Sequence, residues 1–326
     1  MLFGITALLV VGASWCLVGI VLGRAPRDGL DTGIIQLLGA CVSIAASITI
    51  ATCFLPPGAC PAEVLFRTCG IYFAAGIFNY FGLQAMAEGM RRGPNGSVWG
   101  IMQSAMVFPF LAGILFFGVA LTLPRTLGIL ALLGAIPLFS MAKNSKNQKE
   151  GGEGKNDSSH EENGKWRFWA FLSLALIAIQ QNLATAPSYD PEAREVSPIL
   201  RAASSAAGTL AAFVLQTVFQ KIRGGESFLI FLGKIKGSIS RPRLWVYVLS
   251  MQFFSLIFAY TLLYPGLDAM GKAGAGAVSY PLMVGSCIVS FTLYSALVLR
   301  EKLSWTQMAA LVFCLGGLAG LCFPSP

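Results

Sequence analysis

Ten apolar runs, each long enough to cross a hydrocarbon core of about 30 Å, can be marked along this chain. Their approximate limits are 2–22, 33–55, 64–87, 97–120, 123–142, 166–186, 196–220, 243–264, 274–299 and 304–323. Runs of this length read as transmembrane helices, so the expected fold is an all-α integral membrane protein with ten spans. Composition agrees: the 326 residues are 55% hydrophobic and only 12% charged, against roughly 25% charge in a soluble domain. The break between the sixth and seventh runs is polar and proline-rich, from Pro187 through Asp190 and Arg194 to Pro198.

The chain also repeats itself. Phe73–Thr126 recurs without a gap as Phe253–Thr306: Phe73, Ile77, Phe78, Tyr80, Leu83 and Met90 match Phe253, Ile257, Phe258, Tyr260, Leu263 and Met270. Glu88 faces Asp268, and Arg92 faces Lys272. Each copy reads as an aromatic-rich helix, an acid, a glycine-rich turn, a second helix and a charged hinge ending in Leu-x-x-Thr.

Between the fifth and sixth runs, Lys143 to Lys165 is rich in Lys, Asn, Glu, Gly and Ser and cannot bury a core. It reads as a solvated linker joining an N-terminal half, 1–142, to a C-terminal half, 166–326. Five helices per half is an odd number, so the second copy enters the membrane from the opposite side, an inverted repeat of the kind found in many secondary transporters. Lys and Arg concentrate on the cytoplasmic side of membrane proteins. All of the 23 here except Arg67, Arg125, Arg194, Arg201 and Lys272 lie on the side of the linker. The expectation is a multi-pass protein of the cell membrane with a cytoplasmic linker and both termini outside.

The net charge of +8 does not point to nucleic acid, because the basic residues are spaced between apolar runs and form no basic-aromatic surface. The first charge, Arg24, follows the first apolar run, so residues 1–22 are expected to stay in the membrane as a span. The 8 cysteines include no Cys-x-x-Cys pair, which argues against a metal site. Cys53, Cys60 and Cys69 lie near one expected loop, where a disulfide is an open alternative. The glycine-rich turns Gly89–Gly96 and Gly271–Gly276 lack Gly-Lys-Ser/Thr and follow no strand, so no phosphate-binding loop is expected. No cofactor is called for.

Polar side chains inside apolar runs are costly in lipid unless they face a partner helix or a water-filled cavity. Asn79, Tyr80 and Gln84 stand on the third helix, with Tyr80 and Gln84 on one face, and Tyr260 and Tyr264 occupy the corresponding positions on the eighth. Gln103 lies on the fourth helix near Trp99, and the sixth carries the consecutive amides Gln180, Gln181 and Asn182. These groups suit hydroxyls or neutral heteroatoms, and the repeat axis would bring Tyr80, Gln84, Tyr260 and Tyr264 to one midplane cavity. The alternative, bonding between helices that only holds the bundle, stays open for each. Arg201, before the small-residue run Ala202–Gly208, either reaches the interface and pairs with Glu195 or faces the cavity. Trp15, Trp99, Tyr280 and Tyr294 fit a cavity wall or an interface belt. Gly316 and Gly320 form a Gly-x-x-x-Gly pair for close packing, within the bundle or between two copies of the chain.

Ten helices, the five-plus-five repeat and the segment Arg300–Gln307 ahead of Gly316-Gly317 resemble the drug/metabolite transporter superfamily over essentially the whole chain. Within it, Gly82-Leu83 with Gly89-Met90, and Gln180 to Pro187 followed by Asp190 and Pro191, are similar to the L-rhamnose–proton symporter and its glucose/ribose-porter relatives. The resemblance implies one central cavity lined by both halves, alternating access, and uptake of a small neutral solute such as a sugar, driven by protons. Glu88, Asp190 and Asp268 are the acids available to couple a proton, since His160, the sole histidine, lies in the linker. An exporter of metabolites or drugs from the same superfamily is the alternative. A channel or membrane enzyme is a further one, without a charge ring, a Gly-x-Ser-x-Gly or a metal-ligand cluster to favour it.

Overall fold

Prolines and glycines decide where the apolar runs bend and stop. The computed structural model describes residues 1–326 apart from 26–27, 55–59, 94, 151–158, 223–227, 253–255, 298–304 and 324–326. The first three helices are α1 (Leu2–Arg24), α2 (Thr32–Phe54) and α3 (Ala62–Arg92). The fourth run is broken into α4 (Asn95–Gln103) and α5 (Val107–Phe117) by a 3₁₀ turn at Ser104–Met106. Pro109 explains the break: it has no N–H to give the carbonyl four residues back, and its ring crowds Ala105. The N-terminal half closes with α6 (Leu123–Glu150).

The C-terminal half opens with α7 (Ser159–Thr185), two 3₁₀ turns at Ala186–Tyr189 and Ala193–Glu195, and α8 (Pro198–Ile222). A short α9 (Phe228–Ile239) precedes α10 (Pro242–Gln252). The chain then widens into a π-helical turn, Ala259–Leu263, before α11 (Tyr264–Lys272), α12 (Ser279–Leu297) and α13 (Trp305–Cys322). Pro265 is to Thr261 what Pro109 is to Ala105, and here the strain is relieved by widening the turn rather than tightening it. Gly118, at φ 64°, ends α5 in the left-handed conformation that glycine adopts without penalty. At the start of α2 the Asp31 carboxylate accepts the Gly33 and Ile34 N–H groups at 2.6 and 3.3 Å.

Among the described residues there is no strand, and 8 helical segments are long and apolar enough to cross a membrane. They run Leu2–Leu22, Thr32–Phe54, Ala62–Arg92, Val98–Phe117, Lys165–Tyr189, Pro198–Phe219, Gly276–Tyr294 and Trp305–Cys322. The chain is therefore an all-α, multi-pass membrane protein. Leu123–Leu138 is a shorter apolar helix. The expected eighth run is divided among α10, the π-helical turn and α11, with 253–255 outside the described residues. The outer surface is apolar, as lipid requires: Leu115 and Phe116 are 73% and 79% exposed.

α3 packs along α7 and α8, α1 along α12 and α11, α2 against α8 and α10, α4 and α5 against α7, and α6 along α13. Small residues allow these approaches. A Cβ on Gly76 or Gly208 would fall inside the van der Waals radius of a carbonyl oxygen across the α3–α8 crossing, that of Ser205 or Phe73 respectively. Gly12 meets the Met283 backbone in the same way where α1 crosses α12.

Three points left open by the sequence gain detail. The linker is not irregular throughout, because α6 continues to Glu150 and α7 begins at Ser159, leaving only 151–158 outside the described residues. Cys53, Cys60 and Cys69 are free thiols. The Gly-x-x-x-Gly pair divides: Gly320 lies against Pro124 and Gly128 of α6, while a Cβ on Gly316 would meet nothing within 4 Å. The glycines that face α6 are Gly317 and Gly320. Phe253 and Leu303 of the repeat, and residues 300–304 of the Arg300–Gln307 segment, fall outside the described residues.

Candidate functional site

Where the helices cross, they leave a central cavity of about 270 Å³. On α3 its wall is Tyr72, Ala75, Asn79 and Leu83, the 3–4 spacing of one helix face. On α8 it is Ala202, Ser205, Ala206 and Thr209, so the small-residue run provides room on one face while Gly208 provides contact on another. Ala259, Leu263 and Tyr264 close the side of the π-helical turn. Among the described residues, α5, α6 and α13 contribute nothing to the wall, and no Asp, Glu, Lys or Arg does either.

Six amide side chains reach the cavity: Gln36 from α2, Asn79 from α3, Gln103 from α4, Gln180 and Gln181 from α7, and Gln252 from α10. Some are already engaged. The Ser43 hydroxyl donates to Gln252 Oε1, the Tyr280 hydroxyl is within hydrogen-bonding reach of Gln180, and Gln103 is within reach of Cys287. Five aromatic rings complete the wall. Trp15 and Tyr280 lie with centroids 6.0 Å apart, Tyr72 and Tyr264 meet edge to face at 5.0 Å, and Trp99 stands against Gly19. The Tyr72 hydroxyl donates to the Ala184 carbonyl at 3.3 Å, tying α3 to α7 beside the cavity.

One helical turn beyond Tyr264, Asp268 meets Arg201. The guanidinium is fully buried, donating from Nη1 to both carboxylate oxygens at 2.9 Å and from Nε and Nη2 to the carbonyls of Val196, Ala193 and Arg194. The other two acids considered for coupling are also paired with arginine. Glu88 accepts from Arg91 and Arg92 of its own helix at 2.8 and 2.6 Å, and Asp190 accepts from Arg67 at 2.6 Å on the surface.

Of the residues singled out from sequence, Asn79, Gln103, Gln180, Gln181, Tyr264 and Tyr280 line the cavity, and five do not. Tyr80 is next to Asn79 but about 100° further round the helix, where its hydroxyl donates to Gln216 Oε1 at 2.6 Å. Gln84 shares that face, as expected, with its Nε2 toward Gly33 of α2. Asn182 turns back to donate to Ala178 of its own helix at 2.8 Å. Arg201 pairs with Asp268 rather than with Glu195 or the cavity. Tyr260 is half-buried in the π-helical turn, which rotates Ala259 and Tyr264 to the cavity in its place.

Sequence reasoning missed Gln36 and Gln252. Both are amides inside apolar runs, so the signal that marks Gln103 applies to them equally. Trp15 and Trp99 prove to be wall residues, and Tyr294 does not line the cavity.

Fold and site together define a multi-pass all-α membrane protein with a central cavity walled, among the described residues, by amides, aromatic rings and apolar side chains without a charged group. No protein-family model matches the sequence, and no curated protein does. Among solved structures 17 chains match the fold. One, described only as "Crystal structure of protein", superposes with a TM-score of 0.63 over 99% of this chain and 98% of its own, at 15% identity. At that identity the likeness carries the fold alone.

Proposed function

We propose that this chain is a secondary active transporter of the drug/metabolite transporter superfamily, carrying a small neutral polar solute across the cell membrane by alternating access, in the direction of uptake and coupled to protons. In this reading ten spans form two inverted halves, 1–142 and 166–326. The fifth span lies in α6, and the eighth is α10 through α11. The 143–165 linker is cytoplasmic and both termini are external.

The observation that carries the reading is the uncharged polar cavity, to which both halves contribute. Helix pairing supports the inversion, because exchanging the halves maps the partners onto one another. α3 on α7 and α8 corresponds to α10 and α11 on α1 and α2, and α1 along α12 corresponds to α7 along α4 and α5. α6 with α13, and α2 with α8, each join a span to its own counterpart. Two halves related in this way can rock about a fixed midplane site and open it to each side in turn. Asp268 is the favoured proton carrier, being the one of the three acids that is largely buried and bonded across helices.

Purified protein in sealed proteoliposomes, given radiolabelled sugars, nucleobases and amino acids, tests the reading. A carrier shows uptake that saturates and is accelerated by unlabelled solute on the far side. Flux that rises linearly without counterflow would reject it in favour of a channel.

A further inference from the structure

We infer that the cavity recognises a flat ring bearing an N–H donor and a C=O acceptor side by side, the amide-like edge of a lactam or nucleobase, through Gln36 and Gln181. The inference rests on the transporter reading above and narrows its substrate class. Gln36 on α2 is 5% exposed and Gln181 on α7 is 3% exposed, and both line the cavity. Both amide atoms of Gln36 and the Oε1 of Gln181 are buried without a hydrogen-bond partner. Such orphans are expensive, and native structures rarely keep them without a reason. Both residues line the cavity, so these are the atoms left for a bound molecule once the amides turn toward it. Gln252 and Asn182, by contrast, are held by Ser43 and by the Ala178 carbonyl.

A carboxamide offers one acceptor and a donor group in one plane, and its best partner is the same pattern reversed, giving two parallel bonds. A sugar hydroxyl can take either role, but a monosaccharide carries hydroxyls around its whole rim, each needing a partner once desolvated. The orphan atoms here are few, and Ala40, Ala75, Leu83, Met102 and Ile177 form much of the surface between them. The aromatic side chains suit the two faces of a flat ring, which stack or meet ring edges favourably. With no charged side chain in the wall among the described residues, a neutral ring is favoured over a cation or an acid. At about 270 Å³ the cavity lies near the lower end of small-molecule sites, the range of a one- or two-ring metabolite.

The test uses the full-length protein with uracil, hypoxanthine and nicotinamide as edge-bearing rings, and glucose and rhamnose as polyols. Each is assayed by melting temperature in detergent and by counterflow in proteoliposomes. At least one ring compound should stabilise the protein and exchange, and its analogue N-methylated at the amide edge should bind about two- to tenfold more weakly, the worth of one hydrogen bond. Gln36→Leu and Gln181→Leu should each weaken the parent compound by a similar factor, and the one that removes the amide oxygen accepting the ring N–H should leave the methylated analogue unaffected. If either variant does not fold, the methylated series on the unaltered protein decides. Exchange of glucose or rhamnose with the rings inert, or N-methylation without effect, overturns the amide-edge inference and leaves the transporter reading intact. Absence of exchange by every compound counts against both.

Discussion

Arg201 of α8 and Asp268 of α11 form a buried ion pair in which one guanidinium nitrogen donates to both carboxylate oxygens at 2.9 Å. The remaining guanidinium nitrogens hold the carbonyls of the turn before α8, so a single side chain ties α8, α11 and the segment leading into α8 together. Glu88, the acid at the position corresponding to Asp268, is bonded instead to Arg91 and Arg92 of its own helix. In the C-terminal half the corresponding acid instead locks two helices together by charge.

Breaking a buried pair from one side leaves an uncompensated charge, which costs about 3–5 kcal/mol, whereas replacing both partners by apolar groups is often close to neutral. Arg201→Met and Asp268→Leu should each lower the melting temperature strongly, and the double variant should lose clearly less than the sum of the two, the carbonyls of Ala193, Arg194 and Val196 still lacking their donor. Two mild, additive single effects would show that the pair holds nothing.

The neighbours Asn79 and Tyr80 should separate binding from stability. Tyr80→Phe removes the hydroxyl from Gln216 and should cost about 0.5–1.5 kcal/mol of stability without altering solute affinity. Asn79→Ala, on the cavity face, should weaken solute binding and change the melting temperature little. The reverse pattern would mean that α3 presents a different face to the solute.

Glycines at crossings and glycines in open space should respond oppositely to the same methyl group. Gly208→Ala forces α8 off the Phe73 carbonyl and should destabilise by about 1–3 kcal/mol through overpacking. Gly316→Ala meets nothing and should be neutral or stabilising by up to about 1 kcal/mol. Thermal unfolding of both variants in one detergent is the measurement.

The sidedness inferred from Lys and Arg can be read by labelling intact cells in a background freed of reactive cysteines. Cysteine at Glu63, at the exposed start of α3, should react with a membrane-impermeant thiol reagent. Cysteine at Ser240, between α9 and α10, should be protected. Inverted labelling would reverse the assigned orientation.

The helices were legible because lipid leaves a chain little choice: long apolar runs read as spans, and most observed boundaries fall within a few residues of the expected ones. The site was only half legible. An amide in an apolar run marks a costly group, but which way it faces depends on helix rotation, and a single step separates Asn79 in the cavity from Tyr80 against α8. The π-helical turn adds a further shift, so the correspondence of Tyr80 with Tyr260 did not carry to the cavity wall. Pro109 and Pro265 were visible in the sequence, yet whether the helix tightens or widens before each is decided by packing. Arg201 and Asp268 lie 67 positions apart, and only the fold brings them together.

Alternating access itself is tested most directly by the reactivity of one cavity position from the two sides of a sealed membrane. A cysteine at Ala206, on the wall formed by α8, is introduced into the cysteine-free background and exposed to an impermeant thiol reagent applied outside or inside. Slow modification from both sides, with no accompanying ion leak and with protection by a transported solute, is the predicted result. Modification from one side only, or from both sides together with a continuous leak, would contradict a carrier that opens its central cavity to each side in turn.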